Sequence, residues 1–218
     1  MTLIVFDLDG TLIDSRRDLA ESANQLISEM GGQPLPETTI GLMIGEGARV
    51  LVRRALGAAG YTEQPDSLSR FLEIYDTRLL NHTRVYDGIP AVVQQAGTHA
   101  RLAVLTNKPR GPSERILESL GLRDAFHDII GGDGPHARKP DPASLVALIE
   151  RAQTSSSRTL MVGDSAIDYE TSQRASVQCC LAAYGFGFET FPRERLTGEE
   201  WIAESPAALG RIIDAFVI

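Results

Sequence analysis

The chain has 218 residues, 43% of them hydrophobic, and sets 21 basic against 29 acidic residues for a net charge of −8. That length holds one large domain or one domain with an inserted subdomain, and the acidic balance disfavours nucleic acid as the main partner. No apolar stretch approaches a membrane span and no basic prelude precedes the first strand, which argues against an anchor or signal peptide.

The first predicted strand, "LIVF" (3–6), runs straight into Asp7-Leu8-Asp9-Gly10-Thr11. Two carboxylates one residue apart repel, and each ionises less easily unless they share a positive charge. An EF-hand calcium loop is excluded: it puts its glycine sixth and closes on a glutamate, whereas here glycine comes fourth. The apolar Leu8 and Leu12 suit a strand end. Taken alone, the pair reads as a strand followed by a solvated acidic turn, so the rest of the chain must decide.

From about 15 to 84 the pattern is helical. Leu19, Ala23, Leu26, Ile27 and Met30 recur at helical spacing, as do Leu51, Val52, Ala55 and Leu56, and then Leu68, Phe71, Leu72, Tyr75 and Leu79. Ser15 with Asp18 three residues later predicts a capping box on the first helix. Arg49, Arg53 and Arg54 read as a solvated helix face. This stretch is predicted to be a helical subdomain, 15–84, inserted into a core formed by 1–14 and 85–218.

Beyond it, "LAVL" (102–105) ends in Thr106-Asn107 and "DII" (128–130) in Gly131-Gly132-Asp133. "TLMV" (159–162) ends in Gly163-Asp164, and "CCLAA" (179–183) in Tyr184-Gly185. Helical patterns lie at about 88–98, 112–120, 141–152 and 166–175, and the tail predicts a short strand and a closing helix. Strands alternating with helices imply an α/β fold whose parallel sheet is covered on both faces, a three-layer Rossmann-like core. Cys179 and Cys180, adjacent on a strand, would face opposite ways and form neither a disulfide nor a metal pair, which fits a reducing cytoplasm.

In such sheets ligands bind outside the carboxyl ends of the strands. Asp7, Thr106 and Asp164 all sit there. Nineteen of the basic residues are arginine, and the two lysines, Lys108 and Lys139, both precede prolines. A lysine kept among so many arginines points to a site wanting a compact point charge. Carboxylates at Asp7, Asp9 and Asp164 are hard oxygen ligands that suit Mg²⁺ holding water and a substrate phosphate. Its charge lets neighbouring carboxylates stay ionised. A carboxylate can attack phosphorus to give an aspartyl-phosphate, and phosphoryl transfer then asks for positive charge around the equatorial oxygens. Asp164 reads equally as the N-cap of the helix beside Ser165. His82, His99, His127 and His136 are scattered without ligand spacing.

With these residues in view the chain resembles the haloacid dehalogenase superfamily of phosphohydrolases over nearly its whole length. Four signatures occur in order: "FDLDGT" (6–11), "LTN" (105–107), "KP" (139–140) and "GDSAIDYE" (163–170). Within the superfamily it looks most like phosphoglycolate phosphatases, through "IGEGARVLVRRAL" (44–56), "LTNKP" (105–109), "IIGGD" (129–133) and "YGFG" (184–187). The resemblance implies Asp7 as nucleophile and metal ligand, and Asp9 as general acid then base that also lends its backbone carbonyl to the metal. It implies Thr106 and the Asn107 amide on phosphoryl oxygens, Lys139 bridging nucleophile and phosphoryl group, and Asp164 completing the Mg²⁺ site. Asp168 would anchor Lys139 or a metal-bound water. The insert would be a cap with Gly45 and Gly47 in its specificity loop. The implied substrate is a small phosphorylated metabolite, 2-phosphoglycolate first, with a sugar-phosphate phosphatase or phosphomutase as the alternative, in a monomer or homodimer. "RAS" (174–176) departs from the usual glycine at that helix end.

Three other classes compete. A response-regulator receiver is much shorter and carries its accepting aspartate on a middle strand. A dehalogenase on the same fold needs neither Asp9 nor a metal. A binding protein on this scaffold is expected to have lost a motif residue, and none is missing.

Overall fold

The computed structural model describes residues 1–217; Ile218, the end of the predicted core, lies outside the described residues. Six strands, β1 (Thr2–Phe6), β4 (Ala100–Leu105), β5 (Asp128–Ile130), β6 (Thr159–Gly163), β7 (Gln178–Ala182) and β8 (Trp201–Ala203), form a parallel sheet in the order β5-β4-β1-β6-β7-β8. The predicted α/β architecture is the observed one. Every residue of β1 is buried, as a strand covered on both faces requires.

Alternation along β1 builds the two outer layers. Ile4 and Phe6 point into a core shared with α5 (Ile89–Gly97), α6 (Arg110–Ser119) and α9 (Pro206–Val217). Leu3 and Val5 point the other way, onto Leu145, Leu148 and Ile149 of α7 (Ala143–Arg151). The last layer element, α8 (Ala166–Arg174), follows β6. Just past its end Ser176, with a φ of 54°, takes the left-handed conformation that a glycine usually supplies there. Cys179 and Cys180 are buried free thiols on β7.

The helical stretch lies between two short strands that hydrophobic periodicity does not reveal. β2 (Ile13–Asp14) pairs antiparallel with β3 (Arg84–Val85), so the chain leaves and re-enters at one ribbon. Between them run α1 (Arg16–Glu29), α2 (Glu37–Gly41), α3 (Ala48–Ala58) and α4 (Ser67–Asp76). The short α2 has no apolar repeat long enough to announce it, and Leu79 of the third apolar set falls beyond the end of α4. The apolar stripes of α1, α3 and α4 meet in the same core as Ile4 and Phe6.

The capping box expected at the start of α1 is absent. Ser15 occupies the N-cap position without a capping hydrogen bond. Asp18 is fully buried and accepts instead from the backbone N–H of His82 (2.9 Å) and Thr83 (2.7 Å) and from Thr83 Oγ1 (2.7 Å). Three donors from one returning segment outcompete the local cap, and they tie the exit of the insert to its entry. No helix among the described residues is long and apolar enough to cross a membrane.

Candidate active site

β1, β4 and β6 are the three adjacent central strands, and Asp7, Thr106 and Asp164 follow their carboxyl ends. Lys139, in the loop before α7, extends between two carboxylates: its Nζ is 2.6 Å from Asp168 Oδ1 and 2.8 Å from Asp7 Oδ1. The Lys139 ammonium thus bridges the two carboxylates. Asp168 is held from behind. Its Oδ2 accepts from Ser165 N (3.1 Å) and Ser165 Oγ (2.6 Å), the reciprocal capping box of α8. The N-cap is therefore Ser165 and not Asp164, whose Oδ2 accepts from Gly187 N at 2.7 Å.

Ligand oxygens of Asp7, Asp164 and Asp168 all lie within 4.8 Å of one another, and all three residues are buried. One ammonium against three carboxylates leaves the cluster short of positive charge. Burial, which Lys139 only partly offsets and Asp168 aggravates, raises the Asp7 pKa from 3.8 to about 7. Burial, then Asp168 and Asp7, raises Asp164 well above the carboxylate range. Burial alone would lower Lys139, but Asp168 and Asp7 outweigh it and hold the ammonium firmly protonated. Glycines open the ground beside Asp164. A Cβ on Gly10 would come 1.9 Å from Asp164 Oδ2, and one on Gly187 would come 2.8 Å from it. Crowded hard oxygens with unmet negative charge fit a divalent cation.

Asp9 belongs to a second group. Its Oδ1 accepts from Ser15 Oγ at 2.5 Å, and Lys108 Nζ lies 3.1 and 3.2 Å from its two oxygens. Lys108 also donates to the Tyr75 hydroxyl at 2.6 Å, so an α4 residue reaches the end of β4. Thr106 is buried, and its Oγ1 accepts from Lys108 N at 3.2 Å. Sequence reading named Asp9 and Thr106 but not the partners that group them, for identifiable reasons. Ser15 read as a cap, Tyr75 as part of an apolar stripe, and Lys108 showed only the hint that lysine is rare here.

Both side-chain N–H groups of Asn107 are spoken for: Nδ2 donates to Gly45 O (3.1 Å) and to Lys139 O (3.0 Å). That residue thus ties the loop before α3 to the sheet edge. Gly45 and Gly47 take φ of 118° and 89°, where a side chain is strained, and Gly47 is the N-cap of α3. Together with Asp7, Asp9, Thr106 and Lys108 they line a cavity of about 40 Å³, closed above by Leu51, Phe71 and Tyr75. Arg49 and Arg54 lie outside it in surface ion pairs with Glu63 and Glu46, and Arg53 is exposed. The site residues expected from sequence are thus gathered at one place, in two adjoining clusters.

A parallel α/β sheet with a buried carboxylate–lysine centre at its switch point is the class this fold and site define. Residues 4–182 match the family model described as haloacid dehalogenase-like hydrolase. The chain is 40% identical over 195 residues to a phosphoglycolate phosphatase of Rhodospirillum rubrum, covering 85% of this chain and 81% of that one. It is 38% identical over 190 residues to a phosphoglycolate phosphatase of Cereibacter sphaeroides, covering 84% and 85%. A crystal structure of a predicted phosphoglycolate phosphatase from Haemophilus somnus superposes with a TM-score of 0.89 at 28% identity, over 97% of both chains. The chain belongs to the haloacid dehalogenase-like hydrolase family, and within it is a phosphoric monoester hydrolase.

Proposed function

We propose that this enzyme hydrolyses 2-phosphoglycolate to glycolate and phosphate in a Mg²⁺-dependent reaction through an aspartyl-phosphate on Asp7. The observation that carries the reading is the ion contact of Asp7 with a Lys139 that Asp168 fixes in place, with Asp7 and Asp9 both lining the adjoining cavity. The relatives named as phosphoglycolate phosphatases support the same substrate.

Asp7 attacks phosphorus, the bond from phosphorus to the glycolate oxygen breaks, and Asp9 delivers a proton to that leaving oxygen. Water then attacks the phosphorus of the aspartyl-phosphate and gives its proton to Asp9. Phosphate departs and Asp7 is restored. Lys139 and the Thr106 hydroxyl hold equatorial oxygens, together with the Asn107 backbone N–H, since its side-chain amide is engaged. Asp7 and Asp164 side chains and the Asp9 carbonyl would hold Mg²⁺, which supplies charge for the phosphoryl oxygens and for the crowded carboxylates. Residues 15–84 act as the cap over a core made of 1–14 and 85–218.

Initial rates across a panel of phosphomonoesters, with and without Mg²⁺, test this reading. It expects 2-phosphoglycolate to be the best substrate, chelator to abolish turnover and Ca²⁺ to inhibit, because looser coordination mis-aims the Asp7 oxygen. Full activity in chelator, or a preference for hexose phosphates, overturns it.

A further inference from the structure

We propose that Lys108, braced by the Tyr75 hydroxyl, is the residue that recognises the carboxylate of the substrate and so sets specificity for phosphorylated small acids. The inference deepens the phosphoglycolate reading and rests on it. Among the described residues Lys108 is the one cationic side chain lining the cavity, and it is 6% exposed. Lys139 serves the phosphoryl end, on Asp7 and Asp168. The far wall is apolar apart from Tyr75, formed by Leu51, Phe71 and Leu72. A carboxylate entering such a space must find a charged partner and hydrogen-bond donors or pay a heavy desolvation cost.

One donor stands free and a second is shared with Asp9. The Tyr75 hydroxyl accepts from Lys108 Nζ at 2.6 Å, so its own proton must go elsewhere; no acceptor takes it among the described residues. Tyr75 is itself only 3% exposed. A buried hydroxyl proton without an acceptor, beside a buried ammonium, is a site made for an anion. Asp9 satisfies Lys108 in the absence of substrate, and Ser15 Oγ gives Asp9 a second donor that lets it share the ammonium. The two cations thus divide the ligand, phosphoryl on Lys139 and carboxylate on Lys108. The backbone around Gly45 and Gly47 shapes the wall between them.

The test compares 2-phosphoglycolate with ethyl phosphate, which has the same carbon skeleton length and no carboxylate. For Lys108→Met, any loss that comes through Asp9 strikes both substrates, so the ratio of their kcat/KM values isolates the carboxylate. That ratio is expected to fall ~10–100-fold, the worth of a hydrogen bond to a charged group. Tyr75→Phe keeps the ring and the packing and should lower the same ratio several-fold. Product inhibition gives a second readout: glycolate should inhibit Lys108→Met far more weakly, while inhibition by inorganic phosphate stays near the parent value. An unchanged ratio in both variants overturns the assignment. A parent enzyme that does not prefer 2-phosphoglycolate over ethyl phosphate would instead refute the substrate reading on which it rests.

Discussion

Replacing Asp7 by Asn should destroy the activity and, without metal, make the protein more stable at neutral pH. Asp7 is buried and its folded pKa is raised from 3.8 to about 7, chiefly by burial. A carboxyl whose folded pKa lies above its unfolded value binds its proton more tightly in the native state. Below about pH 4 it costs nothing; the penalty grows as pH rises from there and is complete above about 7. Roughly three pKa units at ~1.36 kcal/mol each set a ceiling near 4 kcal/mol. Asparagine mimics the protonated form at every pH, and Lys139 keeps its 2.6 Å contact with Asp168, so no lone ammonium is left behind. For a chain of this length ~1 kcal/mol moves Tm by ~2–4 °C, which allows a gain of up to about 8–16 °C. Thermal melting in chelator at pH 5 and pH 8 reads the effect. The gain should be near its full size at pH 8 and about 40% of that at pH 5. Saturating Mg²⁺ should narrow the gap, since a ligand at 100 times its Kd stabilises the parent by ~2.7 kcal/mol. A variant that melts below the parent at pH 8 in chelator would refute the charge accounting, and one that keeps most of its turnover would refute Asp7 as nucleophile.

Asp9→Asn should lower kcat by ~10²–10⁴-fold, because proton delivery and water activation both need a titratable group; a loss under tenfold would leave Asp9 a structural residue. Gly10→Ala places a Cβ 1.9 Å from Asp164 Oδ2, at a φ of 88° that alanine resists. Metal titration of the rate should show an affinity ~10–100-fold weaker, the scale of disturbing a group that supports a metal ligand. Asp168→Asn keeps an oxygen for the Ser165 cap but removes the charge that fixes Lys139, so activity should drop while melting changes little. Gly47→Leu drives a side chain against Asn107 O, 3.2 Å from a Cβ there, and should raise KM for 2-phosphoglycolate more than for an aryl phosphate.

The sheet was legible because its strands are short apolar runs bounded by polar ends, and a parallel strand buried on both faces leaves that trace in any sequence. The polar ends pointed to the site for the same reason: Asp7, Thr106 and Asp164 sit where the fold must place ligands. What escaped was set by tertiary competition. Ser15 and Asp18 satisfy the capping-box spacing, yet Ser15 donates to Asp9 and Asp18 collects the donors of His82 and Thr83. The capping box that does form, Ser165 with Asp168, has the same local spacing and also serves Lys139. Local spacing is identical in the two cases. Only the partners brought in from 64 and 29 residues away separate them.

That contrast carries over to the division of labour between the two lysines. Each ends a short motif before a proline, and each is a buried ammonium held by aspartate. Lys139 is held by Asp7, which follows β1, and by Asp168 of α8. Lys108 is shared between Asp9, after β1, and Tyr75 of α4. A phosphoryl group is common to every phosphomonoester, so the cation proposed for it belongs at the sheet edge beside Asp7. The group that distinguishes one monoester from another must be read where core and insert meet. With Asn107 also binding Gly45 across that boundary, the insert is coupled to the sheet edge at both ends of the cavity. Changes in α4 near Tyr75 should therefore alter substrate choice without touching the carboxylate cluster that holds Lys139.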